Sequence, residues 1–248
     1  MCIRDSFNPA LAFSDVASFV AESAAVAAPR PPNMERIVAL NRGPFVGAQP
    51  EPAELPIPPD GAQVVDVRPI EAFARGHLAG AISVPVSGTR FSTKAAFVLD
   101  ADLPLVVAAS DESEAEGAIR SLFSVGLLDI SGYVLGGGSQ TLELVDVDDL
   151  DELLRDGAEL IDVREKDERD SGYIAGSRNI PYRLLALGAA DLPNDRPLVT
   201  ICESGPRAAI AASILAARGY DARAVAEGGV DAWIASGRPT VEFRRCGS

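Results

Sequence analysis

The chain carries the same pattern twice. Val64-Val65-Asp66-Val67-Arg68 recurs as Leu160-Ile161-Asp162-Val163-Arg164. Gly76-His77-Leu78-Ala79-Gly80-Ala81-Ile82-Ser83-Val84-Pro85 recurs as Gly172-Tyr173-Ile174-Ala175-Gly176-Ser177-Arg178-Asn179-Ile180-Pro181. Both pairs stand 96 residues apart, without a gap. Leu105-Val106-Val107 then matches Leu198-Val199-Thr200 at a spacing of 93, and Gly137-Gly138 matches Gly228-Gly229 at 91. Self-similarity at a near-constant spacing marks a repeated structural unit, here two copies of about 90 residues each. A chain of 248 residues has room for both.

Within each copy, short apolar runs alternate with helical stretches. Residues 64–67, 105–109, 160–163, 198–202 and 222–225 have the pattern of strands buried on both faces. Residues 208–218 form an Ala-rich helical stretch that Gly219 closes, and 230–235, with Trp233, form a last helix. Alternating strands and helices imply the α/β class, each copy a mostly parallel sheet flanked by helices. Upstream, Val16, Phe19, Val20 and Val26 recur at roughly helical spacing, with Ser14 or Asp15 as cap, so 15–28 reads as a helix. Pro29-Arg30-Pro31-Pro32 stops it. Residues 33–41 read as another short helix. Residues 43–59 hold Pro44, Pro50, Pro52, Pro56, Pro58 and Pro59 and read as an extended, semi-rigid connector. The resulting division is 7–43, a linker at 44–52, a first copy at 53–140 and a second at 141–248.

Charge and cysteine usage exclude several roles. The net charge is −14, from 36 acids against 22 bases. Phosphate binding needs a basic face, so nucleic acid is not an expected partner, nor is an anionic membrane surface. The apolar run 208–217 is about half a membrane span and is broken by Ser213, so no transmembrane helix is expected. A secretory signal is unsupported too, because 16–28 is interrupted by Ser18, Glu22 and Ser23 and lacks a basic start. Cys2, Cys202 and Cys246 are too few and too unevenly spaced for a disulfide framework or zinc knuckle, which fits a reducing, cytoplasmic setting. His77 is the single histidine. No metal site and no cofactor are expected.

The chemistry concentrates at Cys202. It follows the 198–201 run directly and leads through Glu203-Ser204-Gly205-Pro206-Arg207 into a helix. Open α/β sheets place their sites at such strand ends. Helix-start amides lack intrahelical partners and, with the helix dipole, stabilise an anion. A thiolate is such an anion, and its nucleophilicity at neutral pH rises there. Gly205 lets the backbone curl, Arg207 offers a permanent cation with a donor fork, and Ser204 offers a hydroxyl. Glu203 reads equally as a solvated loop residue or a modulator of substrate charge. The bland alternative for Cys202 is a buried core cysteine.

Taken in order, Asp162-Val163-Arg164, the 172–181 segment, the Cys202–Arg207 loop and Glu227-Gly228-Gly229 with Trp233 resemble the rhodanese sulfurtransferases. The resemblance spans about 90 residues, a full repeat unit, and implies a tandem rhodanese-like protein. It assigns Cys202 as nucleophile, which takes a sulfane sulfur as a persulfide and passes it to an acceptor. It assigns anion binding to Glu203, Ser204, Gly205, Pro206 and Arg207, and structural support to Asp162 and Arg164. The implied partners are a small sulfur-donor anion, thiosulfate or a low-molecular-weight persulfide, and a thiol or cyanide acceptor. A related fold in dual-specificity phosphatases has a cysteine loop one residue longer. The six residues Cys202 to Arg207 match the sulfurtransferase length. Phosphatase activity and a non-catalytic binding or regulatory module remain the rival readings.

The first copy departs from the pattern. Ala109 stands at the cysteine position, and Ser110-Asp111-Glu112-Ser113-Glu114 has three acids and no glycine. This copy is expected to be catalytically silent, and His77 within it to be structural. Cys246 reads as a tail thiol, with resolution of a persulfide as its functional alternative. Residues 7–43, notably 31–43, resemble the C-terminal end of a metallo-β-lactamase-fold hydrolase. Met1-Cys2-Ile3-Arg4-Asp5-Ser6, back-translated, resembles a sequencing adapter. Together these imply an upstream truncation, with the hydrolase domain as a partner in the full-length protein.

Overall fold

The computed structural model describes residues 15–18, 20, 29–43, 47, 51–187 and 191–242. The chain divides into two units, Met1–Pro31 and Pro32–Ser248. In the first, residues 16–18 and 20 are helical, and the Asp15 carboxylate accepts the Ser18 N–H at 2.8 Å. The adapter-like hexapeptide, Phe19, Val26, most of the 44–52 linker and Cys246 lie outside the described residues.

The second unit opens with α1 (Met34–Arg42) and then builds two parallel sheets. The first copy contains β1 (Gln63–Asp66), α2 (Ile70–Arg75), β2 (Ile82–Ser83), α3 (Phe91–Val98), β3 (Leu105–Ala109), α4 (Glu112–Phe123) and β4 (Ile130–Leu135). The second contains β5 (Glu143–Val145), α5 (Leu150–Arg155), β6 (Glu159–Asp162), α6 (Lys166–Asp170) and β7 (Arg178–Asn179). It continues with α7 (Tyr182–Ala186), β8 (Leu198–Ile201), α8 (Pro206–Ala217), β9 (Ala222–Val225) and α9 (Gly229–Ala235).

Strand order is β2-β1-β3-β4 in one sheet and β5-β9-β8-β6-β7 in the other, every pair parallel. The four shared strands correspond one to one. Where the second sheet adds β5 at its edge, the first uses residues 53–55: Leu55 N–H donates to Tyr133 O at 2.7 Å and Tyr133 N–H to Ala53 O at 3.0 Å. The end of the proline-rich stretch is therefore paired to the sheet rather than free. Asp66 pairs with Ala108 and Asp162 with Ile201, so Ala109 and Cys202 stand at one position of the fold.

The central helix α8 explains how the copies join. Its residues Ala208 through Leu215 are all buried. A helix apolar on every side must be covered on every side. One apolar cluster accordingly runs from Val65, Val107 and Leu122 of the first copy into Ile161, Leu198 and Ile214 of the second. A separate cluster, including Leu150, Val199, Ile201 and Trp233, fills the other face of the second sheet. Ser213, the polar break in the apolar run, accepts the Ser83 N–H of edge strand β2 at 2.9 Å and donates to Ile210 O at 2.7 Å. Phe97 of α3 meets Tyr182 of α7 edge-on, ring centroids 6.2 Å apart. The first copy is thus packed directly on the helix that carries the cysteine loop. Among the described residues, no helix is long and apolar enough to cross a membrane.

Candidate active site

Strand β8 delivers Cys202 to the sheet's C-terminal edge, and α8 starts four residues later at Pro206, a residue suited to the first helical position. Between them the chain folds back so that Gly205 N–H donates to Cys202 Sγ at 3.1 Å. Gly205 takes φ 112°, and a Cβ there would lie 1.7 Å from Ala226 O, so only glycine fits. The start of α9 ties back the loop's carbonyls: Val230 N–H donates to Cys202 O at 2.9 Å and Asp231 N–H to Glu203 O at 3.1 Å. A Cβ on Gly229 would lie 2.2 Å from Cys202 O, which accounts for the second glycine of the Gly228-Gly229 pair. Cys202 is 1% exposed. Ser204 is exposed, and its hydroxyl makes no hydrogen bond among the described residues.

Arg207 departs from expectation. The sequence offers its fork to a substrate oxyanion, but the structure fills that fork with the Glu168 carboxylate, at 2.6 and 2.7 Å. Glu203 stands 3.6 Å away on the same guanidinium. Burial opposes the Arg207 charge, but the Glu168 hydrogen bonds outweigh it and hold the guanidinium above its ordinary value. The same bonds hold the Glu168 carboxyl below its own. Glu168 in turn accepts the Glu165 N–H at 3.0 Å in a capping box that starts α6, and Arg183 grips Glu165 at 2.8 and 2.9 Å. Burial pushes the Tyr182 phenol, beside this cluster, up to about 12.

Asp162 and Arg164 brace the sheet end. Both are buried; Arg164 Nε and Nη2 meet the Asp162 carboxylate at 3.0 and 2.7 Å, and Nη2 reaches Gly172 O at 2.8 Å. His77 is buried against Phe73, ring centroids 3.8 Å apart, with Nδ1 at 2.9 Å from Phe73 O. Among the described residues, no group of three or more His, Cys, Asp and Glu side chains is placed to hold a metal ion.

The chain matches the rhodanese-like domain profile over residues 51–140 and again over 146–236. It belongs to the rhodanese family. Both copies are rhodanese-like domains. A protein of Allochromatium vinosum named sulfurtransferase is 31% identical over 99 residues, 39% of this chain and 92% of that protein. A thiosulfate sulfurtransferase of Pseudomonas aeruginosa is 31% identical over 97 residues, 38% of this chain and 86% of its own length. Among solved structures, a rhodanese-related protein from Thermoplasma volcanium is 35% identical, covering 41% of this chain and 99% of that one, with a TM-score of 0.38. Each of these spans one domain's length of the tandem chain.

Sequence reasoning missed Glu165, Glu168 and Arg183. The string Glu165-Lys166-Asp167-Glu168-Arg169-Asp170 reads as a solvated charged helix. The repeat itself carried a signal: at a spacing of 96, Pro69, Ala72 and Ser87 stand opposite Glu165, Glu168 and Arg183. These charges occur only in the copy that has the cysteine.

Proposed function

We propose that the second rhodanese-like domain is a sulfurtransferase with Cys202 as its nucleophile. The observation that carries this reading is the sulfur itself. Cys202 Sγ sits at a strand end, before a helix start, and accepts a backbone N–H from Gly205, so a fixed donor already points at the reacting sulfur. In the forward step, the Cys202 thiolate attacks the outer sulfur of a sulfane donor such as thiosulfate. A Cys202–sulfur bond forms, the donor S–S bond breaks, and sulfite leaves with its electron pair. In the return step, cyanide or a thiol takes the outer sulfur and the thiolate is restored. Gly205 N–H stays on the sulfur, while Glu203, Ser204 and Pro206 shape the loop. Arg207 acts through the loop's charge balance, because Glu168 occupies its fork.

The near-complete burial of Cys202 is what a non-catalytic binding module would draw on. A thiosulfate–cyanide assay separates the two: the wild type forms thiocyanate, and Cys202→Ser loses the activity by at least about a thousandfold, the scale of a deleted nucleophile. An inactive wild type favours the binding module. Hydrolysis of an aryl phosphate without thiocyanate formation favours the phosphatase.

Two parts of the reading rest on sequence alone. Three unevenly spaced cysteines suit the reducing cytoplasm. The resemblance of 7–43 to the end of a metallo-β-lactamase-fold hydrolase supports such a domain upstream in the full-length protein. The gene's upstream reading frame tests it, since that domain requires a His-rich metal motif there.

A further inference from the structure

The charge balance around Cys202 is short of cation on the loop's own side. Arg207 is the loop's cation, yet Glu168 and Glu203 both lie against it. Two carboxylates around one guanidinium leave a negative surplus, to which the thiolate adds. A donor that is itself an anion needs a positive charge from elsewhere.

The first copy supplies it. Arg90 and Lys94 make no ion pair among the described residues. Lys94 N–H donates to Arg90 O at 3.0 Å, so the two stand one helical turn apart, where α3 begins. Arg90 is the non-glycine residue held in the left-handed region among those described, at φ 58°. A side chain kept there marks a backbone held in place by its surroundings. Lys94 lines a cleft of ≈ 200 Å³ between the copies, with Pro85 and Gly88 on one wall and Pro206, Ala209 and Ala226 on the other. Ala226 is the residue whose carbonyl abuts Gly205, so the cleft adjoins the cysteine loop. Glu71 also borders this cleft and is exposed, without an ion pair to Lys94. Burial holds the Lys94 ammonium below its ordinary value, against the attraction of Cys202 and with repulsion from Arg207 and Arg90. Lys94 therefore lines a cleft that also borders the start of the helix after the cysteine loop, at Pro206, and it has no ion-pair partner among the described residues.

We propose that Lys94, supported by Arg90, is the donor-anion site of the active domain: the silent copy lends the cations that receive the oxyanion end of the sulfur donor. The inference rests on the sulfurtransferase reading with its small oxyanion donor, and adds to that site a cation contributed by the other copy. The volume agrees, being below the roughly 300–1,000 Å³ of pockets that hold drug-sized ligands. When the Cys202 thiolate takes the sulfane sulfur, the S–S electron pair and the negative charge move onto the departing oxyanion, and Lys94 faces that charge. Lys94 is then a specificity residue contributed across the domain cleft.

The test uses the full chain with thiosulfate and, as a donor without an oxyanion, the persulfide of 2-mercaptoethanol. Lys94→Met keeps the aliphatic stem and removes the charge. Its thiosulfate KM is expected to rise about tenfold or more, the loss of one charge-assisted contact, with a smaller change in kcat. Its kcat/KM for the uncharged-tail persulfide shifts less than about threefold, and Lys94→Arg stays near wild type with both donors. Competitive inhibition by sulfate weakens in parallel in Lys94→Met, and Arg90→Ala shows a smaller loss of the same kind. An unchanged thiosulfate KM and sulfate inhibition in Lys94→Met overturns the proposal while leaving the sulfurtransferase reading intact. So does an equal loss with both donors, which would mean a damaged cleft. A wild type that forms no Cys202 persulfide from either donor overturns the sulfurtransferase reading, and this inference with it.

Discussion

In both copies an aspartate at a strand end grips the arginine two residues later, and that arginine closes on a glycine carbonyl. The bonds are the same: Arg68 Nη2 to Asp66 at 2.6 Å and to Gly76 O at 2.8 Å, Arg164 Nη2 to Asp162 at 2.7 Å and to Gly172 O at 2.8 Å. One strand over, the copies part. At Cys202 the loop amide of Gly205 is turned onto sulfur. At Ala109 the loop holds carboxylates of its own: Ser110 N–H donates to Glu114 at 2.6 Å, and Glu114 N–H donates to Asp111 at 2.9 Å. Glu114 stands where Arg207 stands in the other copy, so the charge at that spot is reversed. The lesson is that the brace and the loop are separable. The same scaffold carries a loop whose amide is turned onto sulfur and a loop whose amides are taken up by its own carboxylates.

Three measurements would sharpen or break that comparison. The largest effect is expected from Gly205→Ala, whose Cβ would meet Ala226 O. The loop must shift, the N–H leaves the sulfur, and persulfide formation falls about a hundredfold or more, the scale of losing a positioned backbone donor. Single-turnover sulfite release checks it, and an unchanged rate would mean that the loop amide is idle. Next come Asp66→Ala and Asp162→Ala. Each strands a buried arginine, and each is expected to cost about 3–5 kcal/mol in denaturant unfolding. Equal losses support a shared brace; a loss confined to Asp162 would tie that residue to the site.

The smallest effect concerns pH. Arg207 holds the Glu168 carboxyl below its ordinary value of 4.5. A carboxyl lowered by folding adds stability above its unfolded value, and this is lost as pH falls through the lowered folded value. Glu168→Gln is therefore expected to be less stable than wild type at neutral pH by about 1 kcal/mol at most, given the pair's partial exposure. The gap should close below pH 4.5, the ordinary carboxyl value. Thermal melts from neutral to acid pH check the sign. A gap that widens toward acid would mean that Glu168 is protonated in the folded state.

Much of this arrangement was legible in the sequence because it depends on local rules. The repeat spacing locates both copies, β-branched runs mark the buried strands, and Gly205 before Pro206 marks the helix start after Cys202. The Schellman-type closure of α8, with Gly219 N–H to Ala216 O and Tyr220 N–H to Leu215 O, follows from one glycine. What was hidden depends on tertiary geometry. Arg207 looked free because Glu168 lies 39 residues away, on a helix whose charges resemble a solvated face. Lys94 reads as an ordinary surface cation until α8 is packed against the first copy and the cleft between them forms. The two-residue strands β2 and β7 have too little sequence to show a period, and residues 53–55 join a sheet edge from within a proline-rich stretch.

The central claim is that sulfur goes to Cys202 and to nothing at the equivalent position of the first copy. Intact-mass analysis after incubation with thiosulfate, followed by peptide mapping, tests it on wild type, Cys202→Ser, and Cys202→Ser combined with Ala109→Cys. The expected result is a gain of one sulfur atom, reversed by cyanide and mapped to Cys202, in wild type alone. Sulfur at position 109 of the combined variant would show that the acid-filled loop accepts a donor, and a wild type without the gain would contradict the account outright.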